Sequence, residues 1–579
     1  TIPANSRPAK HLRIGRLLAA TTPPDKLEEK IFDIVNQLNR GADLITSQEE
    51  REHVAELNLL AGKRAKASTA YAAARGYLSV GCELLNEESW ARCYGLAFEL
   101  KLQHATCEVL SADFTAAERL IAEALTRAKT TVDLGAAYWL QIDLHVIRDE
   151  HERAIAAALE CLRLFGIEMS AHPARAELDA MFEKVWRKVE SRSIESLIDL
   201  PLIDDPEMEA AMNVLSAMFP PALFTDETLT CLHLCHIVEL SLEKGTSGAS
   251  AYAFGLFGIM LGHFFGRYEE GYRFGTLARA LVERHGFAAY DAKTYYSLEM
   301  VNVWTRPLTH AVEAMRACHR AANENGDLAF ACYSLNHGIT DMVTRGDHLD
   351  EVWEETVRGL AFVRAAKLRD VADVIVTQQR VIQNLRGRTA SYLSFDDDGF
   401  SEAEFEAQLG PDRMATMVCW YWLAKGQMRF IYGAPDEAVE YIERARPLLW
   451  SCLGHLQWLD FHLFAALANA ALEPPADESP AALQRREQLR ADCNQLGVWA
   501  ASCPESFADK HLLVMAEIAR IDDRYADAEH LYDEAIRLAR ENGFVQYQAI
   551  ANEVAARFHM ARGAERTAHA YVRNARDCY

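Results

Sequence analysis

An all-α fold, an irregular tetratricopeptide-like superhelix (α-solenoid) of antiparallel helix hairpins, is predicted by three features of the sequence. Small and aromatic residues recur three or four positions apart in stripe after stripe. The stripes begin at turns that repeat at a near-constant interval: 37 residues separate Phe114 from His151, and 40 separate Tyr525 from Glu565. Sustained alternation of Val, Ile and Thr between hairpin turns, the mark of strands, is scarce. The interval is that of two helices plus their turns, somewhat longer than the ~34-residue tetratricopeptide period.

The clearest stripe is Tyr525, Ala528, Tyr532, Ala535 and Leu538. Its alanines let a neighbouring helix approach, and its tyrosines fill the space around them. Asp522 and Asp523 suit the turn into this helix, and Gly543 suits its stop. In chain order, Thr1 to Lys10 reads as a loose lead-in. Pro23-Pro24-Asp25 opens a helix whose face carries Phe32, Val35 and Leu38, and Val54 to Leu85 is Ala-rich and helical. Repeats then follow at Phe114 (Ala117, Ile121, Ala124), His151 (Ala154, Ala158, Cys161, Leu164) and Tyr268 (Gly271, Gly275, Ala278, Leu281). Two more begin at Pro435 (Ala438, Ile442, Ala445, Leu448) and Gly563 (Ala568, Val572, Ala575). From Tyr268 to the Gly346-Asp347-His348 turn is two units, with Arg306-Pro307 as the break. After His348, Glu351 and Glu355 stand where small residues are expected. Prolines 201, 206, 220 and 221 blur the register from Asp199 to Thr225. Glu473 to Pro480 and Phe395 to Phe400 read as exposed loops.

At 579 residues the chain exceeds one compact core, and a half-hydrophobic composition gives ample material for burial. With 84 acids against 60 bases the net charge is −24, which opposes non-specific binding to nucleic acid or anionic lipid. Lys63, Arg64, Lys66 and Arg75 are read as a solvated helix face rather than a basic patch. The thirteen scattered cysteines fit reduced thiols in a cytoplasm. No signal peptide is visible. The apolar run Ala251 to Gly266, with four glycines and His263, is too short for a membrane span and reads as a buried helix.

No catalytic motif emerges. Cys231, His233, Cys235 and His236 are the most metal-like cluster, but one helix does not wrap four ligands around an ion, so core packing is expected. Asp396-Asp397-Asp398-Gly399 lacks the ligand spacing of a calcium loop and reads as a solvated turn. No metal and no cofactor is expected. The aromatic runs are the candidate binding groove: Tyr295, Tyr296, Trp304, Tyr333, Asn336, His337, Trp420 and Trp422 all fall on first helices of their hairpins. In such superhelices those helices line the concave face, where a peptide or small ligand docks.

Several segments together carry a resemblance. They are His11-Leu-Arg-Ile-Gly-Arg-Leu-Leu18, Ile34-Val-Asn-Gln-Leu-Asn-Arg-Gly41, Ala65-Lys-Ala-Ser-Thr-Ala-Tyr71, Cys161-Leu-Arg-Leu-Phe-Gly-Ile167, Gly271-Tyr-Arg-Phe-Gly275, Phe330-Ala-Cys-Tyr-Ser334 and Cys419-Trp-Tyr-Trp422. The chain resembles the helical-repeat middle of large signalling proteins. There a serine/threonine-kinase-like domain and a STAND-type (AAA-like) ATPase precede the repeats, and GAF or PAS sensors and often a histidine kinase follow.

The resemblance implies that residues 1–94 are the helical segment after an ATPase and winged-helix part. Residues 95–472 are then the main repeat array and 473–579 the C-terminal repeats. It implies a non-catalytic, cytoplasmic sensor arm whose partners are the adjacent ATPase and kinase domains and a protein or small-molecule inducer. Two rivals remain: a free-standing scaffold that binds peptides, and an enzyme with an unrecognised, metal-dependent site.

Overall fold

The computed structural model describes residues 6–68, 70–148, 150–410, 412–472 and 479–578. Among these residues there is no strand, only an isolated bridge between Asp397 and Phe400. The helices are α1 (Arg7–Thr21), α2 (Leu27–Asn39), α3 (Gln48–Ala67), α4 (Tyr71–Leu84), α5 (Glu87–Arg92), α6 (Tyr94–Leu110), α7 (Phe114–Arg127), α8 (Thr131–Ile147), α9 (His151–Leu164) and α10 (Arg175–Glu190). They continue with α11 (Pro206–Ala217), α12 (Phe219–Thr225), α13 (Glu227–Lys244), α14 (Gly248–Phe265), α15 (Tyr268–His285), α16 (Asp291–Thr305), α17 (Leu308–Asn325), α18 (Leu328–Arg345), α19 (Leu349–Ala365) and α20 (Arg369–Leu385). The last are α21 (Glu402–Glu406), α22 (Ala415–Ile431), α23 (Pro435–Ala445), α24 (Gln457–Ala471), α25 (Pro480–Ser502), α26 (Pro504–Ile521), α27 (Tyr525–Glu541), α28 (Val545–Ala561) and α29 (Glu565–Cys578). The predicted fold class is the observed one.

The chain divides into two units, Thr1–Met181 with Leu202–Ile237, and Phe182–Pro201 with Val238–Tyr579. In the first, α1/α2, α3/α4, α6/α7 and α8/α9 pair as hairpins, and α11 and α12 return onto α8 and α9. Its core runs from Leu12, Ile31 and Ile34 to Leu78 and Leu100. Residues 7–10 are not a loose lead-in but the first turn of α1, where Pro8 occupies a position that has no intrahelical N–H bond to lose. On α2 the buried face is Ile31, Ile34, Val35 and Leu38, with Phe32 at its edge stacked on Tyr77. The basic residues are engaged: Lys63 pairs with Glu99 at 2.7 Å, Arg75 with Glu108 at 3.3 Å, Lys66 donates to Gln103 at 2.5 Å, and Arg64 lies over the Phe32 ring.

In the second unit, α14, α16, α18, α20, α22, α24, α26 and α28 pack in sequence as one layer, and their hairpin partners form the other. The small-residue stripes are what bring the layers together. Ala528, Tyr532 and Ala535 of α27 are buried as predicted, whereas Tyr525 is exposed and bonds to Asp523. The break at Pro307 is the start of α17, so α15, α17 and α19 begin at 268, 308 and 349. The Glu351/Glu355 anomaly resolves by one residue: the buried stripe of α19 is Val352, Thr356, Gly359 and Val363. Helix α14 is the one helix among the described residues long and apolar enough to cross a membrane, and 78% of that stretch is buried inside the protein. Its glycines are packing positions. A methyl at Gly258 or at Gly271 of α15 would collide with the other's carbonyl oxygen, and one at Gly262 would meet the Tyr268 ring.

Two corrections concern loops. Phe395 to Phe400 is not an exposed loop: Phe395 is buried, its N–H and that of Glu402 bond to carboxylates across the loop, and Asp397 pairs with Arg380. The loop expected from Glu473 to Pro480 lies outside the described residues up to position 478, and Pro480 opens α25.

Candidate functional site

The second unit closes on itself through contacts between residues far apart in sequence. Trp304 of α16 packs against Trp499 and Phe507, and its indole N–H donates to the Gly454 carbonyl at 3.0 Å. Ser502 donates to the Trp304 carbonyl at 2.8 Å. At the far end, the Gln546 amide at the start of α28 donates to the carbonyls of Val343 and Thr344 in the last turn of α18, at 3.2 and 2.8 Å. Those carbonyls belong to the end of a helix, where backbone acceptors lack intrahelical partners. Gly346 admits the approach, since its φ of +89° and the closeness of Gln546 Oε1 leave no room for a side chain.

Within this closure lies a cavity of about 660 Å³, the volume of a drug-sized ligand site. Its apolar wall includes Val374, Val381, Leu423, Met428, Ile431 and Ile550. Its polar wall includes Thr340, Thr344, Gln378, Gln427, Gln457 and Gln546, together with Trp420, Asp460 and Tyr547. Gln378 has a fixed amide: its nitrogen donates to the Asn336 carbonyl and to Thr340 Oγ1 at 2.8 and 2.9 Å. Gln378 Oε1, Gln457 Oε1 and Trp420 Nε1 have no hydrogen-bond partner among the described residues. Four aspartates line the cavity. Asp347 accepts from Arg345 at 2.7 Å, Asp350 pairs with Arg386, and Asp577 pairs with Arg576 at 2.9 Å. Among the described residues Asp460 has no side-chain hydrogen bond or ion pair. It lines the cavity, and burial pushes its carboxyl up to about 7 against the opposing pull of Lys510. Lys510 itself is buried, bonded to the Ser506 carbonyl and Asp509, and stacked between Phe544 and Tyr547.

Of the residues expected to form a groove, Trp420 lines this cavity. Tyr296, Tyr333, Asn336 and His337 are brought together next to it: the His337 ring lies 5.6 Å from Trp420, and the Asn336 carbonyl holds Gln378. Tyr295 stacks on Arg279, Trp304 serves the closure, and Trp422 stacks on Tyr441 in the second helix of its own hairpin. Sequence reading missed Gln378, Asp460 and Gln546. Each is an isolated polar residue on a helix, and only the closure of the array brings them together.

Behind Trp420 sits a sealed polar cluster. The Tyr296 hydroxyl meets His337 Nε2 at 2.8 Å, and His337 Nδ1 meets Glu299 at 3.2 Å. Burial pushes Glu299 up to about 8 and His337 down to about 3, and Asp341 is raised by burial and by Glu299 beside it. At neutral pH the cluster is therefore largely uncharged, which is the form a buried group adopts when its charge has no counter-ion. Glu299, His337 and Asp341 are each 4% exposed or less. Cys231, His233 and Cys235 are likewise buried in α13, with His233 pushed down to about 4 by burial. Among the described residues no group of three or more His, Cys, Asp or Glu is placed to hold a metal ion. All thirteen cysteines are free.

No family model matches the chain. A structural comparison aligns it with a chain of the Naa15/Naa10 complex bound to HypK-THB at 13% identity, covering 98% of this chain and 99% of that one, with a TM-score of 0.23. Among known proteins it is similar to hybrid signal transduction histidine kinase G of Dictyostelium discoideum, 24% identical over 387 residues. The matched stretch is 62% of this chain and 11% of that protein, so the chain spans about a tenth of the length of its relative.

Proposed function

We propose that this chain is a regulatory, ligand-binding helical module of a larger signalling protein. Its cavity receives a small-molecule inducer, and the closure of the second unit transmits occupancy to neighbouring catalytic domains. The observation that carries this reading is the cavity itself, a drug-sized space walled by eight or more polar side chains in a hairpin array. The similarity to part of a hybrid histidine kinase supports the signalling context. The finer assignment, to the arm between a STAND-type ATPase and GAF or histidine-kinase domains, rests on the segment resemblance alone. In that scheme residues 1–94 adjoin the ATPase and 95–472 and 473–579 form the sensor array. A cytoplasmic setting is proposed from the free thiols.

Binding regulates only if the ligand has different affinities for two arrangements of the array, since equal affinity shifts nothing. The Gln546 contact is the natural point of difference. Opening it would separate α28 from α18 and unroof the cavity. Filling the cavity tests the reading: Val381→Trp in the full signalling polypeptide is expected to abolish the response to inducer while the protein remains folded. An unchanged response would remove the cavity from the mechanism.

A further inference from the structure

The ionisable groups lining the cavity are Asp347, Asp350, Asp460, Asp577, Arg386, His348, Tyr547 and Cys578. Three of the four aspartates have an arginine partner, and the fourth does not. Lys510, the cation nearest in character to a partner for Asp460, is committed to Asp509, the Ser506 carbonyl and two aromatic rings. Asp460 is thus the aspartate of the cavity wall without a counter-ion among the described residues. Gln378, Gln427, Gln457 and Gln546 also line the cavity, but the side-chain oxygens of Gln378, Gln457 and Gln546 are themselves buried. A carboxylate on a cavity wall without a counter-ion is a receptor for a cation that carries N–H donors.

We propose that the cavity binds a small organic cation, an alkylammonium or amidinium compound, with Asp460 as its counter-ion. This rests on the reading of the cavity as a ligand site and names the class of ligand. Ligand binding then favours the ionised carboxylate. Because burial raises the Asp460 carboxyl to about 7, binding that favours the carboxylate releases protons, and affinity rises with pH through the neutral range.

The test is calorimetric titration of the full 579-residue chain with agmatine and 1,4-diaminobutane, and with 1,4-butanediol as the uncharged analogue. Experiments in two buffers of different ionisation enthalpy give the protons released. The expected result is amine binding that Asp460→Asn weakens at least tenfold and that Asp350→Asn, whose carboxyl already has a partner, leaves within about twofold. Proton release by the unaltered chain is a second readout that does not depend on the variant folding. Equal binding by Asp460→Asn, or absence of proton release at pH 7, overturns the proposal. Binding of the diol without the amines would overturn the cation assignment while leaving the cavity as a ligand site. Failure of all three probes to bind, with no protection of α28 amides from exchange, would sink both.

Discussion

At the scale of the residue, the second unit stores uncharged acids where charge cannot be solvated. Glu299 has its folded pKa raised to about 8 from an ordinary 4.5, so the folded state holds a proton that the unfolded state gives up. The stability this contributes is complete below about pH 4.5 and is lost as pH rises through 8. His337 runs the opposite way: held down to about 3, it costs stability only as pH falls below about 6.5. Between pH 6.5 and 8 the raised carboxyls, Glu299 with Asp341 beside it and Asp460, act together, with a limiting slope of about 1.4 kcal/mol per pH unit for each proton held. The second unit is therefore expected to melt at lower temperature at pH 8 than at pH 6.5, and Glu299→Gln to flatten that difference. Calorimetric melts at the two pH values check it, and a variant with an unchanged pH dependence would place the titration elsewhere. A second residue-scale prediction concerns Gly258. Its mutual contact with Gly271 leaves no room for a methyl, so Gly258→Ala should cost about 1–3 kcal/mol despite alanine's better helix propensity, measurable by denaturant unfolding.

At the scale of the element, the stripes explain why each hairpin forms, and they set what sequence can and cannot disclose. On α7, α9, α15, α23 and α27 the small residues announce the buried face directly, and the buried sets contain Ala117, Ala154, Gly271, Ala438 and Ala528 as read. On α19 the same face is built from Val352, Thr356 and Gly359. β-Branched residues there do the work done elsewhere by alanine, so the stripe appears one position early and falls on glutamates. Val352→Ala should therefore cost about 2 kcal/mol and Glu351→Ala less than about 0.5, and equal effects would contradict the register. The cavity was not legible because its polar wall comes from α18, α20, α22, α24 and α28, helices that share no local pattern. Of the aromatic groove residues only Trp420 reaches it, because Trp304 is spent on closing the array and Trp422 on its own hairpin. The clasp between α28 and α18 is expected to weaken in Gln546→Ala by about 1–2 kcal/mol, with faster amide exchange confined first to α28.

At the scale of the whole molecule, three facts come together. The chain carries a net charge of −24, its second unit holds a cavity with apolar and polar walls, and part of it is similar to part of a far longer signalling kinase. A module that binds a small molecule has regulatory value only if something is attached to it. The central claim is therefore that the array works inside a larger polypeptide. The most direct test is an immunoblot of native extract with an antibody raised against residues 238–578. The account predicts a band far larger than the 64.9 kDa of this chain. A single band at the mass of the chain, present when proteolysis is blocked from the moment of lysis, would contradict it.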